Sequence, residues 1–69
     1  MRRQPLWTPT RSGVAACIVD GLTNRETCRA MGCTTTTVQR HVKVMMRAFG
    51  ARNRVNLAAM LGACAEDRA

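Results

Sequence analysis

The sequence predicts an all-α fold: one tetrahelical domain, free of strands and of a wing, with a helix-turn-helix at its centre. Three observations carry this. Four segments open on a residue suited to cap a helix (Thr8, Thr23, Thr34, Asn53), and three close on glycine (Gly21, Gly32, Gly50). Val38, Val42, Met45 and Phe49 recur at intervals of four, three and four, which is one face of a helix. β-branched residues never alternate with polar ones over a useful length, so no strand is expected.

Residues 1–7 read as a basic arm ahead of a domain spanning 8–65. Thr8 followed by Pro9 starts the first helix: a hydroxyl cap, then proline where its missing amide does no harm. Val14, Cys17 and Ile18 point inward, and Gly21 supplies the left-handed stop. Thr23 and Glu26 then form a capping box, each side chain serving the other's orphan amide. This second helix is short and ends by Met31, because Gly32 fits the position after it. Thr34 caps a third helix from about Thr35 to Phe49, ending at Gly50. A fourth starts after Asn53 and runs to about Cys64, leaving 66–69 as a flexible tail.

The third helix is the most informative. Thr36, Arg40, Lys43 and Arg47 repeat the spacing of its apolar stripe, displaced by two residues, or about 200° around a 3.6-residue turn. One face is apolar and its opposite basic, with Gln39 beside Arg40 on the outer side. The fourth helix carries two apolar stripes. Leu57, Met60, Leu61 and Cys64 are bulky; Val55, Ala58, Ala59 and Gly62 are small or branched. Two stripes need two surfaces: the domain core and either a second subunit or, in a monomer, more of the core.

Charge narrows the partners. The formal net charge of the 69-residue chain is +7. Between Thr23 and Arg54 stand seven cations (Arg25, Arg29, Arg40, Lys43, Arg47, Arg52, Arg54) against the single acid Glu26. Such a surface favours polyanions. No apolar run reaches the ~18 residues of a membrane span, and Met1-Arg2-Arg3 opens no secretory leader. A cytosolic protein with reduced cysteines is expected.

Cys28, Gly32 and Val38, spaced by four and six, supply what a helix-turn-helix needs: a small residue at the helix crossing, glycine in the turn, an apolar lock on the second helix. The third helix then belongs in the major groove of DNA. Its N-terminus offers free amides to phosphate, and Thr34, Thr35, Thr36 and Thr37 add hydroxyls there, as Thr23 does one helix earlier. Arg40 can pair bidentately with guanine and Gln39 with adenine, while Lys43 reaches base or phosphate. Arg25, Arg47, Arg52 and Arg54 are placed to hold the backbone, which sets register without reading sequence.

These residues also resemble a known family. Thr8-Pro9, Gly21-Leu22-Thr23-Asn24-Arg25-Glu26, Thr37-Val38-Gln39-Arg40-His41-Val42 and Phe49-Gly50-Ala51-Arg52-Asn53-Arg54 are similar to the LuxR/FixJ-type (GerE-like) DNA-binding domain, without a gap from Trp7 to about Leu61. The resemblance implies four helices, the third in the major groove and the fourth used to dimerise. It also implies base contacts at Gln39, Arg40 and Lys43. The family usually carries an acid where Arg11 stands, an apolar residue at Thr27 and leucine at Trp7. Arg11 removes a capping box and sets a cation at a positive helix end, a cost of ~0.5 kcal/mol. Family members usually carry a sensor domain ahead of this one; with seven residues before Thr8, a stand-alone domain is expected.

Other chemistry is weighed and set aside. Cys28-x4-Cys33 with His41 has a spacing zinc tolerates, but Cys17, Cys28 and Cys33 sit where the fold wants small apolar side chains. No nucleophile pairs with His41, so neither an enzyme nor a cofactor is expected. A membrane-surface helix is disfavoured because the apolar face is used inside the domain. RNA is disfavoured because side chains cannot easily read its deep A-form groove. The expected partner is double-stranded DNA, bound by a homodimer meeting through Val55, Ala58, Ala59 and Gly62, with no small-molecule ligand. The alternative is an interaction protein that pairs through the fourth helix with a larger LuxR-type protein as a heterodimer.

Overall fold

The structure is a computed structural model that describes residues 6–68, with side chains through Cys64. Residues 1–5 of the expected basic arm, Ala69 and the side chains of the rest of the expected tail fall outside it. Four helices follow in order: α1 (Pro9–Val19), α2 (Asn24–Met31), α3 (Thr35–Phe49) and α4 (Arg54–Arg68). No strand occurs among the described residues. None of the helices described is long and apolar enough to cross a membrane.

The helix ends fall where local chemistry puts them. Thr8 Oγ1 accepts from the Arg11 amide at 3.1 Å with Pro9 at the first turn. Both halves of the capping box form: the Thr23 amide donates to Glu26 Oε1 at 2.8 Å and the Glu26 amide to Thr23 Oγ1 at 3.1 Å. Thr34 Oγ1 accepts from the Thr37 amide, and Asn53 Oδ1 from the Asn56 amide at 2.8 Å. Gly32 closes α2 with φ 67° and Gly50 closes α3 with φ 65°, backbone angles that cost a residue with a Cβ about 1–2 kcal/mol. Beyond Gly32 the Cys33 amide returns to the Cys28 carbonyl at 3.2 Å, which joins the two helices in a tight elbow. The expected end of α4 near Cys64 is corrected: with no glycine or proline after Gly62 to stop it, the helix continues to Arg68.

α1 packs on all three other helices, and α3 on α2 and α4, whereas α2 and α4 do not pack directly. The core lies between them: Val14, Ala15 and Ile18 from α1, Val38 and Met45 from α3, Leu57 and Leu61 from α4. Trp7, Cys28, Cys33, Val42 and Phe49 pack around it, with Trp7 and Phe49 rings 6.1 Å apart and tilted. Cys17, expected inward, is half-buried, and Ala15 takes the buried place beside Val14. Thr27 is fully buried in α2, and its hydroxyl donates to the Thr23 carbonyl at 2.8 Å. That bond lets a polar residue occupy an apolar position without an orphaned group.

Candidate nucleic-acid interface

The two stripes of α3 part as their spacing dictates. Val38 and Met45 are buried, Val42 and Phe49 half-buried. Thr36, Gln39, Arg40, Lys43 and Arg47 are all exposed on the other side. These five, with Val44 and Ala48, line a shallow depression of about 520 Å³ along the helix. Val44 and Ala48 were not singled out by the sequence, although both lie on the flank of the basic stripe. They give a donor-rich surface a small apolar floor, the combination that fits base edges and thymine methyl groups in a groove.

Around this surface the hydroxyls divide in two groups. Thr34 and Thr37 are occupied with each other: their oxygens lie 3.1 Å apart and Thr34 caps the helix. Thr35 and Thr36 are exposed beside the first amides of α3. Thr23 is exposed at the α2 start, with its oxygen accepting from the Glu26 amide. Arg25 and Arg52 are exposed. Glu26, the one acid nearby, has its carboxyl held below the usual range, first by the Thr23 backbone amide, then by the Thr23 side chain and Arg29. It therefore stays charged and committed to the cap rather than facing an incoming polyanion unpaired.

Arg54 differs from the other cations. Its Nη2 donates to the Leu22 carbonyl at 2.6 Å and its Nη1 to Asn24 Oδ1, and the residue is half-buried. It bridges α4 to the start of α2, two helices that do not pack directly. Expected as a phosphate contact, it is also held by these two bonds within the protein. His41 is also drawn inward. Its Nδ1 accepts from Arg11 Nε at 3.2 Å, and its pKa is lowered, first by burial and then by Arg11 and Arg40.

On α4 the stripes separate as well. Leu57 and Leu61 enter the core, while Val55 is 80% exposed and Ala59 is exposed. Ala58 and Gly62 are half-buried, and Ala58 packs against the core, so it belongs to the seam between the two faces. A second apolar feature, a groove of about 370 Å³ between α1 and α4, is lined by Trp7, Ala15, Ala16, Val19, Leu61 and Cys64, with Ser12 and Asp20 at its polar edge.

The family model described as GerE, bacterial regulatory proteins of the luxR family, matches residues 6–61. No curated protein and no solved structure matches the chain.

Proposed function

The chain belongs to the luxR family of bacterial regulatory proteins, and from that premise we propose that it is a sequence-specific transcriptional regulator that binds a two-fold-related DNA site as a dimer. DNA binding in the service of transcription regulation is the general property of this domain. The specific reading rests above all on the outer face of α3, where Gln39, Arg40 and Lys43 stand exposed over the depression that Val44 and Ala48 floor.

In this reading α3 enters the major groove. Arg40 pairs with guanine, Gln39 with adenine, and Lys43 takes a base or the adjacent phosphate. Thr23, Arg25, Thr35, Thr36, Arg47 and Arg52 hold phosphates, and Thr34 and Thr37 shape the helix start that presents its amides to one of them. Residues 8–65 form the reading module. Val55, Ala59 and Gly62, flanked by Ala58, meet their counterparts on a second copy, since an isologous contact repeats the same patch on both partners. Half-sites about 10 bp apart follow from two groove helices on one face of the duplex.

Selection of bound duplexes from a random pool, read with protein mass in solution, tests this. The expected outcome is one enriched sequence and a mass near twice the chain's 7.6 kDa. Arg40→Ala then loses about 1–3 kcal/mol on the enriched site and relaxes preference at one base pair. Arg52→Ala weakens all sequences alike and reduces the salt dependence. Equal, non-selective losses from both variants would overturn the roles given to them.

A further inference from the structure

On the premise that α3 reads DNA, we propose that Arg11 is a positioning residue for that helix: it fixes the His41 ring in one tautomer and sets the rotation of α3 about its own axis.

Arg11 reaches across thirty positions of sequence from the first turn of α1. Its Nε donates to His41 Nδ1 at 3.2 Å, and its Nη1 donates to the Leu6 carbonyl at 2.6 Å. Among the described residues this is the one side-chain hydrogen bond that joins α3 to another helix. The remaining anchors of α3 are apolar: Val38 and Met45, fully buried, and Val42, Met46 and Phe49, packed at the edge of the core. The apolar stripe decides which face of α3 turns inward, but burial is non-directional and sets the rotation only to within the width of that stripe. A hydrogen bond has a preferred line, and the Leu6 carbonyl fixes the donor's other end. His41 lies beside Arg40 and two positions before Lys43, so the orientation set at His41 passes directly to the side chains that read bases.

The chemistry of the pair adds a second consequence. A guanidinium only donates, so Nδ1 must be unprotonated, and the neutral imidazole then carries its proton on Nε2. The charged groups acting on the ring are both cations, Arg11 from α1 and Arg40 on α3 itself. Protonation of Nδ1 would break the bond and set the imidazolium against the guanidinium. The sequence reads Arg11 only as a poor neighbour for a helix start; across the fold it is a donor matched to a specific acceptor.

The test uses the single histidine of the chain. Ring nitrogen NMR of the intact protein near pH 7.5, about a unit above the ordinary histidine pKa, is expected to show Nε2 protonated and Nδ1 bare. Arg11→Glu, whose carboxylate accepts from Nδ1, is expected to reverse the two. A wild-type ring protonated on Nδ1 would overturn the proposal even if every variant failed to fold. For binding, the probe is a labelled duplex carrying the sequence that the wild-type chain enriches, measured against a scrambled duplex. Arg11→Ala and His41→Ala are each expected to lower the ratio of the two affinities roughly three- to tenfold, below the melting transition of each variant. The double variant is expected to be no worse than the weaker single, because the two residues act as one unit. Arg11→Lys, which keeps the charge and loses the fork, is expected to behave as Arg11→Ala. Additive losses, or an unaffected Arg11→Lys, would overturn the proposal while leaving DNA reading intact. A wild-type chain that enriches no sequence would overturn the DNA reading, and this proposal with it.

Discussion

α3 and α4 have the same length, fifteen residues, and both send two side chains into the same core, yet their outer faces differ in kind. The outer face of α3 is threonine, glutamine, arginine and lysine: donors on a helix whose inner face is apolar. Among the described residues, the exposed positions of α4 are Val55, Ala59 and Ala63, and Val55 is 80% exposed there. A donor-rich convex helix complements an acceptor-rich polyanion, and a small apolar strip complements another protein surface. One fold thus presents two outer faces of different chemistry from helices of equal length. The lesson is that the inner stripe of each helix states only that it is packed, while the outer stripe states against what.

The largest expected effect tests whether the two faces of α4 are as distinct as their burial. Leu57 is fully buried, so Leu57→Ala is expected to cost about 2–5 kcal/mol of unfolding free energy, read by denaturant titration. Val55→Ala, two residues away, is expected to change that free energy by less than about 0.5 kcal/mol at protein concentrations where the chain is monomeric. It should act instead on association, weakening the concentration dependence of mass in sedimentation. Equal destabilisation of the monomer by both would erase the distinction drawn between core and outer stripes.

Arg54 sits at the point where α4 and the helix-turn-helix are joined, and its removal asks whether they are coupled through that residue. Arg54→Ala leaves the Leu22 carbonyl and Asn24 without their donors. The expected loss is about 1–3 kcal/mol of stability, toward the low end because the residue is only half-buried. The same substitution at Arg52, which is exposed, is expected to leave stability unchanged and to lower DNA affinity. If Arg54→Ala instead matched Arg52→Ala on both measurements, Arg54 would act on DNA alone and not as a brace between the helices.

Arg54 and Arg11 mark the limit of what was legible in the sequence. Every helix start was readable, because a cap is a contact within three or four residues: Thr8, Thr23, Thr34 and Asn53 all cap as their local pattern predicts. The opposed faces of α3 were readable because period alone defines them. Arg54 and Arg11 were not, since each finds its partner at least thirty positions away, and only the packed fold brings Leu22, Asn24 or His41 within reach. Nothing in the spacing of Asn53-Arg54 says which of its neighbours faces inward. Val44 and Ala48 were missed for another reason: small apolar residues at the border of two stripes belong to neither until the surface is seen.

A smaller effect separates α3 from α2 by pH. His41 has its pKa lowered by burial and by Arg11 and Arg40, so the unfolded chain, with an ordinary histidine near 6.5, takes up the proton first. The resulting stability is fully present above that value and is lost as pH falls below it through the folded pKa. Glu26, also lowered, behaves alike around the ordinary carboxylate value near 4.3: its contribution is present above and lost below. Melting temperature against pH is therefore expected to fall in two steps, the first removed by His41→Gln and the second by Glu26→Gln. A first step that survives in the His41 variant would show that α3 is not fastened through this ring.

The smallest effect concerns the contact by which α1 leans on the helix-turn-helix. A Cβ at Gly13 would stand 2.5 Å from Met31 Cε and 2.7 Å from Sδ. Both atoms are the far end of an unbranched, half-buried side chain, which can swing aside at little cost. Against that small strain, alanine in a helix interior is favoured over glycine by about 0.8–1 kcal/mol. Gly13→Ala is accordingly expected to change stability by no more than about 0.5 kcal/mol, in either direction, in the same denaturant titration. Near-neutrality would mean that α1 meets α2 through a soft thioether, so that the placement of the helix-turn-helix depends on the core and the arginine contacts. A loss above about 2 kcal/mol would mean that Met31 is held rigidly, and that close approach of α1 and α2 is itself a fixed part of how α3 is aimed.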